Sequence, residues 1–276
     1  MSNPDHTYSE TATIEAIRTY YQFLTRLYLP TAAIKEAPPG GWPEITQETF
    51  TALGKSDTVV SLLAHLPYLS KDGCDLQDMD EIEAAGHCQF ADWRSQVPSN
   101  EPSNAEETKR EVGLVTEGLA WETVPPHVFG LTTGGRDKPV MLLDTRRGVI
   151  YWLDAPAALL EHYQGRPDEL APTKVRSGDE AWDFAGDAAM WSVQGFFEML
   201  KEEFRAVRMV PVRNCQVLDV YTQSIGIEEL VPTVQAVHHA QGWPEHAEDF
   251  DKDVCLAEVQ RRVEESFPGE VPFPEE

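Results

Sequence analysis

The side chains of this 276-residue chain best suited to chemistry are its four cysteines, its histidines and its many carboxylates. Cys74 and the adjacent pair His87-Cys88 could offer zinc three soft ligands. A structural zinc site needs a fourth ligand at finger spacing, and the sequence holds no Cys-x-x-Cys. His238 and His239 are neighbours, so on a helix they point about 100° apart and cannot share a metal as an i, i+4 pair would. The acids between Asp72 and Glu83 raise the question of calcium. A calcium loop started at Asp72 would need an acid or amide third and a glycine sixth, where the chain has Cys74 and Gln77. Gly134-Gly135-Arg136 could cradle an anion, but a phosphate loop opens into a helix and here a strand pattern follows, which favours a hairpin turn. There is no Gly-x-Ser-x-Gly, and no serine or cysteine has a local partner that marks a nucleophile. The carboxylates are too many to single out an acid–base pair. The sequence therefore predicts no catalytic residue, no cofactor and no metal.

Charge is the more informative property. With 22 basic against 47 acidic residues the formal net charge is −25, which opposes binding to nucleic acid or to anionic membranes and suits a basic protein partner. The acids crowd into residues 72–107, where Arg94 alone offsets them, and into residues 245–276. Asp78, Asp80 and Glu81 are the candidate partner contacts of the first cluster. The four widely spaced cysteines fit reduced thiols, which places the protein in the cytoplasm, with the nucleus as the other option. No signal peptide is expected at the N-terminus, and no apolar run approaches the length that spans a bilayer.

The elements that would carry these residues centre on 128–154. Apolar runs at 128–133, 140–143 and 149–153 are separated by Gly- and Asp-rich breaks, and they predict three short antiparallel strands. In the last run both phases are apolar, Val149, Tyr151 and Leu153 against Ile150 and Trp152. That predicts a sheet covered on both faces. The best cover is a helix over 192–206, capped by Ser192, with a stripe of Val193, Phe196, Phe197, Leu200 and Phe204. Gly195 weakens that helix and is expected to permit a close approach to the sheet.

Before this centre, Ile14, Ile17, Tyr21, Leu24 and Tyr28 predict an amphipathic helix that Pro30 ends. Short helices are expected over 46–53 and, capped by Ser56, over 57–66. Residues 95–107 have almost nothing to bury and read as a flexible insert. Runs at 112–115 and 119–124 suggest one or two additional strands. After the centre come a polar loop at 164–178, a return strand at 207–212, and helices over 228–241 and 253–266. The predicted fold class is α+β: one domain with an antiparallel β-meander packed by flanking helices, and helical N- and C-terminal extensions. The predicted division is 1–95 as a helical part, 96–110 as an acidic insert, 111–213 as the α+β core and 214–276 as C-terminal helices and a frayed tail.

Across residues 112–205 the pattern Val-Phe-Gly-Leu-Thr, Gly-Gly, Leu-Leu-Asp, Gly-Val-Ile-Tyr-Trp and then Phe-Phe-x-x-Leu resembles the SUKH superfamily, which includes a yeast regulator of cell-wall synthesis and bacterial toxin-immunity proteins. The flanking Gly40-Gly41-Trp42-Pro43, His65-Leu66-Pro67-Tyr68-Leu69 and Gly242-Trp243-Pro244 are similar to a group of uncharacterised fungal proteins. That group carries a histidine before the last Gly-Trp-Pro, where this chain has Gln241, with His238 and His239 upstream. The resemblance implies a single α+β module that binds other proteins, and it brings no catalytic residue. The resulting expectation is a non-catalytic interaction or regulatory module of this type with a basic protein partner. The alternative is a small-molecule enzyme or ligand-binding protein, with a pocket between sheet and helices lined by Trp121, Trp152, Trp182 or Trp191. Oligomeric state is not legible in the sequence.

Overall fold

The computed structural model describes residues 8–74, 81–96, 105–135, 137–222 and 228–269. Along the first part run α1 (Glu10–Leu27), β1 (Ile34–Lys35), α2 (Gln47–Ala52), α3 (Asp57–His65), β2 (Tyr68–Leu69), β3 (Glu83–Ala85), β4 (Cys88–Phe90) and α4 (Trp93–Gln96). The middle holds α5 (Ala105–Thr116), β5 (Val128–Gly130), β6 (Thr132–Thr133), β7 (Met141–Asp144), β8 (Val149–Trp152), α6 (Ala157–Tyr163), β9 (Thr173–Lys174), α7 (Trp182–Ala185) and β10 (Ala189–Ser192). The chain continues through α8 (Val193–Arg205), β11 (Met209–Arg213), β12 (Gln216–Asp219), α9 (Leu230–Ala240) and α10 (Lys252–Ser266). The fold class is α+β with antiparallel sheets. Two compact units form: one from the segments ending at Thr19, Lys35–Tyr68 and Phe90–Glu198, the other from Tyr20–Ile34, Leu69–Gln89 and the segment from Met199 onward.

The first unit is built on a five-stranded antiparallel sheet in the order β5-β7-β8-β10-β9. Its register places Leu143 opposite both Phe129 and Ile150, and Ile150 opposite Trp191. Because side chains alternate along a strand, β8 sends Ile150 and Trp152 to one face and Val149 and Tyr151 to the other. On the first face Phe196 of α8 packs edge-to-face on Trp152 and Trp191, with ring centroids 6.3 and 5.8 Å away. On the second face Val128, Leu142, Tyr151 and Met190 join Val175, Ala181, Phe184 and Ala188 in one buried cluster. Both faces of the sheet centre are thus covered, as the two apolar phases of β8 require. Ser192 caps α8, its Oγ accepting the Gly195 N–H at 3.0 Å.

Five sequence expectations change. Residues 112–115 lie in α5 rather than in a strand, and 118–120 form a 3₁₀ turn. A four-residue apolar run cannot distinguish the two states. Here the helix formers that precede it carry the helix through to Thr116, whose Oγ1 bonds back to the Val112 carbonyl at 2.7 Å. Within the supposed insert, the chain is helical from Ala105 onward, and residues 97–104 lie outside the described residues. Gly195 does not face the sheet: a Cβ there would stand 2.4 Å from the Glu169 carbonyl oxygen, so the glycine admits loop backbone onto the helix. Residues 209–213 pair with β12 in a two-stranded sheet of their own instead of returning to the meander. The polar stretch 164–178, read as loop, holds the edge strand β9, and β10 was not foreseen at all.

In the second unit the β11–β12 hairpin meets the β3–β4 hairpin through backbone bonds, Glu83 N–H to the Cys215 carbonyl at 2.8 Å and His87 N–H to the Val217 carbonyl at 2.9 Å. The buried Glu83 carboxylate accepts the Val217 N–H at 2.8 Å. From α1, the Tyr28 hydroxyl donates to the Glu83 carbonyl at 2.6 Å, and the Tyr20 hydroxyl donates to the Ala84 carbonyl. Trp243 anchors the chain between α9 and α10 by donating its indole N–H to the Phe204 carbonyl at 2.9 Å. Asp251 caps α10 by accepting the N–H groups of Asp253 and Val254.

Candidate functional site

Helix α5 and the 3₁₀ turn that follows it present different residues on two sides within the first unit, and each side opens onto a concavity. The steps Leu114, Val115, Gly118 and Leu119 line a groove of about 570 Å³ together with Thr132, Thr133, the Gly134-Gly135 turn, Pro139, Val140 and Leu153. The steps Lys109, Val112, Gly113 and Glu117 line a smaller cavity of about 230 Å³ with Leu53, Lys55 and Trp121. Residues three and four apart share a helix face, which is why the two sets interleave without mixing.

The groove is apolar on its floor and mixed at its edge. Leu119 is 90% exposed and Val115 is 41% exposed, an arrangement that leaves two large side chains in water. Asp137, Lys138 and Asp154 supply the charges along it. Asp154 is held in place by the Val140 N–H, which donates to its Oδ1 at 3.1 Å. Burial pushes the Asp154 carboxyl above the usual carboxylate range, against the lowering effect of these bonds. The Gly-Gly turn that could have cradled an anion is instead part of this wall, with Lys138 N–H bonding to the Gly135 carbonyl at 3.1 Å.

The predicted contact residues do not converge. Asp78 and Asp80 lie outside the described residues, and Glu81 is exposed. Trp152 and Trp191 are core, and Trp191 donates its indole N–H to the Leu170 carbonyl at 2.9 Å. Trp182 is 39% exposed on α7. Trp121 lines the smaller cavity, packed so closely on α5 that a Cβ on Gly113 would stand 2.8 Å from its own Cβ. A single pocket shared by all four indoles does not form, because the sheet and α8 consume two of them as hydrophobic filling.

Two polar clusters escaped sequence reasoning. At the β7–β8 turn the buried Asp144 accepts the N–H groups of Arg146 and Arg147 and, at 3.2 Å, the Tyr151 hydroxyl. Arg147 pairs with Asp179 at 2.7 Å, tying the turn to the start of α7. These bonds satisfy a tight turn and its neighbour, and burial together with the Asp144 charge pushes the Tyr151 hydroxyl well above its ordinary value, so it stays protonated. In the second unit, His238 and Cys255 meet at 3.5 Å in the interior. The His238 Nε2 lies 2.9 Å from the Pro211 carbonyl and must carry the proton, which leaves Nδ1 as acceptor for the thiol. Burial lowers the imidazole and pushes the Cys255 thiol up to about 12, so the pair is neutral and has no nucleophile's character. Only helical register could have flagged this contact, since the two residues sit on α9 and α10.

Among the described residues no group of three His, Cys, Asp or Glu side chains could hold a metal, and no helix is long and apolar enough to cross a membrane. The chain matches no protein-family model, no curated protein and no solved structure.

Proposed function

We propose that this protein is a non-catalytic interaction or regulatory module of SUKH-like type that binds a basic protein partner through the groove beside α5. The observation that carries the proposal is Leu119, 90% exposed at the lip of an apolar groove in a chain of net charge −25. Large apolar side chains left in water beside a concave apolar floor mark surfaces that another molecule covers. The excess of acid selects a cationic partner and speeds its encounter. The SUKH-like pattern of the meander points to the same class of role. The buried Asp144, His238 and Cys255 are held in internal hydrogen bonds.

The test is capture of partners from native cell extract by the wild-type chain and by Leu119→Glu, with on-rates measured for each retained protein at low and high salt. Leu119 is so exposed that the substitution leaves the fold intact. A basic protein should be retained by the wild type and lost from the variant, and its association should slow steeply as the screening length falls to about 8 Å near physiological ionic strength. Equal retention by both chains, or an on-rate indifferent to salt, sinks the proposal.

A further inference from the structure

The groove beside α5 holds a carboxylate that the fold fixes in place and leaves without a cation. Asp154 follows β8, and its Oδ1 accepts the Val140 N–H at 3.1 Å. The other groups that favour its charged form are also neutral. They are its own backbone N–H and the indole N–H of Trp152, which acts from beyond hydrogen-bond geometry. Asp154 forms no ion pair with any described residue, and no charged neighbour among them acts on its carboxyl. Lys138 lines the same groove, but its stem lies over Gly134, where an added Cβ would stand 2.4 Å from the Lys138 Cγ. Asp154 remains exposed and accessible, while the protein around it removes enough water to raise its carboxyl. A carboxylate in that condition gains from a cation brought by another molecule.

The surface around Asp154 narrows the choice of cation. Val140 and Leu153 adjoin it in the groove, with Val115 and Leu119 exposed nearby. A lysine lays four methylenes along apolar surface and still delivers its ammonium to an anion. An arginine fork is matched best by a carboxylate with both oxygens open, and here Oδ1 already takes the Val140 N–H. We infer that the groove takes a segment of the partner in which a lysine adjoins an apolar residue. The lysine ammonium meets Asp154, and the apolar side chain packs against Val115 and Leu119. A groove of about 570 Å³ is large enough for two such side chains. The inference rests on the docking role proposed above, and it makes Asp154 the residue that selects lysine over a neutral side chain of equal length.

The experiment is an NMR titration of the isotope-labelled full chain at physiological ionic strength, where general attraction of cations to a net charge of −25 is screened. Three capped dipeptides serve as probes: acetyl-leucyl-lysinamide, acetyl-leucyl-argininamide and acetyl-leucyl-norleucinamide, the last lacking only the ammonium. The reporter is the Val140 amide, whose hydrogen bond ends on Asp154. The lysine probe should shift it saturably, the arginine probe should bind more weakly, and the norleucine probe at least about tenfold more weakly. Asp154→Asn keeps an oxygen for the Val140 N–H. It should lower the lysine probe to the affinity of the norleucine probe and leave the latter unchanged. A melting curve checks the fold of this variant, and the three probes on the wild type decide the matter without it. No saturable shift at Val140 with the lysine probe overturns the inference. So do equal affinities for the lysine and norleucine probes, an arginine probe that binds as tightly as lysine, or an Asp154→Asn chain that holds the lysine probe normally. None of these outcomes touches the Leu119→Glu capture test, so failure of the lysine assignment is distinguishable from failure of the docking role.

Discussion

At the scale of single residues, Lys55 and Glu117 form an ion pair with only 7% and 5% of their side chains exposed, so its loss bears directly on stability. Burial raises the Glu117 carboxyl above its ordinary value of 4.5, and the nearby Lys55 ammonium opposes that rise. Removing the cation should therefore leave an uncompensated buried carboxylate, and Lys55→Met is expected to destabilise the chain by about 3–5 kcal/mol at neutral pH. The sign of the pH dependence follows from the direction of the shift. With its folded value raised, Glu117 holds its proton more tightly folded than unfolded. The variant should then recover stability as pH falls toward 4.5 and lose it as pH rises through the raised folded value. Urea unfolding of Lys55→Met against wild type at pH 5 and at pH 7.5 measures this, and a deficit equal at both pH values would refute it. Neither partner was visible as special in the sequence. Lys55 follows a helix-ending glycine and Glu117 precedes another glycine, and a separation of 62 positions hides their contact.

The elements themselves were more legible than their contacts. The two apolar phases of Val149–Trp152 predicted the cover on both sheet faces, and the apolar stripe of α8 predicted one cover, which Phe196 supplies on Trp152 and Trp191. Periodicity works there because burial on one face is what selects apolar residues. It failed at Val112–Val115, where a short apolar run fits either period, and at β9 and β10, where Thr173-Lys174 is exposed and Ala189–Ser192 is too short to signal. Trp121, Trp152, Trp182 and Trp191 were grouped by type, but an indole's identity does not say which side of a sheet it reaches. Gly195 shows how propensity and packing can point in opposite directions. In an isolated helix, Ala at this position would be better than Gly by about 1 kcal/mol. Here the added methyl meets the Glu169 carbonyl at 2.4 Å, a backbone atom that cannot rotate away. Gly195→Ala should lower the melting temperature despite its better propensity, by displacing the 164–178 segment from α8. A rise in melting temperature would show that the loop yields without cost.

For the whole molecule, the dominant quantity is the excess of negative charge, and its location matters less than its sum. Several surface ion pairs are local, such as Arg261 and Arg262 on Glu258, and exposed pairs of this kind contribute little to stability. The buried Lys55–Glu117 pair is shielded from salt by its surroundings. What salt can change is the mutual repulsion among carboxylates that a net charge of −25 leaves uncompensated at neutral pH. Raising sodium chloride from about 20 mM to about 200 mM shortens the screening length from roughly 20 Å to under about 10 Å, which weakens repulsion over the distances that separate surface charges. The melting temperature at pH 7.5 should therefore rise with salt over this range, and it should rise less at pH 5.5, nearer the sequence pI of about 4.6. The same screening that stabilises the chain should slow its capture of a basic partner, so stability and on-rate should move in opposite directions as salt increases. Calorimetric melts across the salt series, run beside the association measurements, test the two together. A melting temperature that falls with salt would mean that attractive pairs outweigh the net charge, and the acidic surface would then be a structural network and not a reservoir of field for steering.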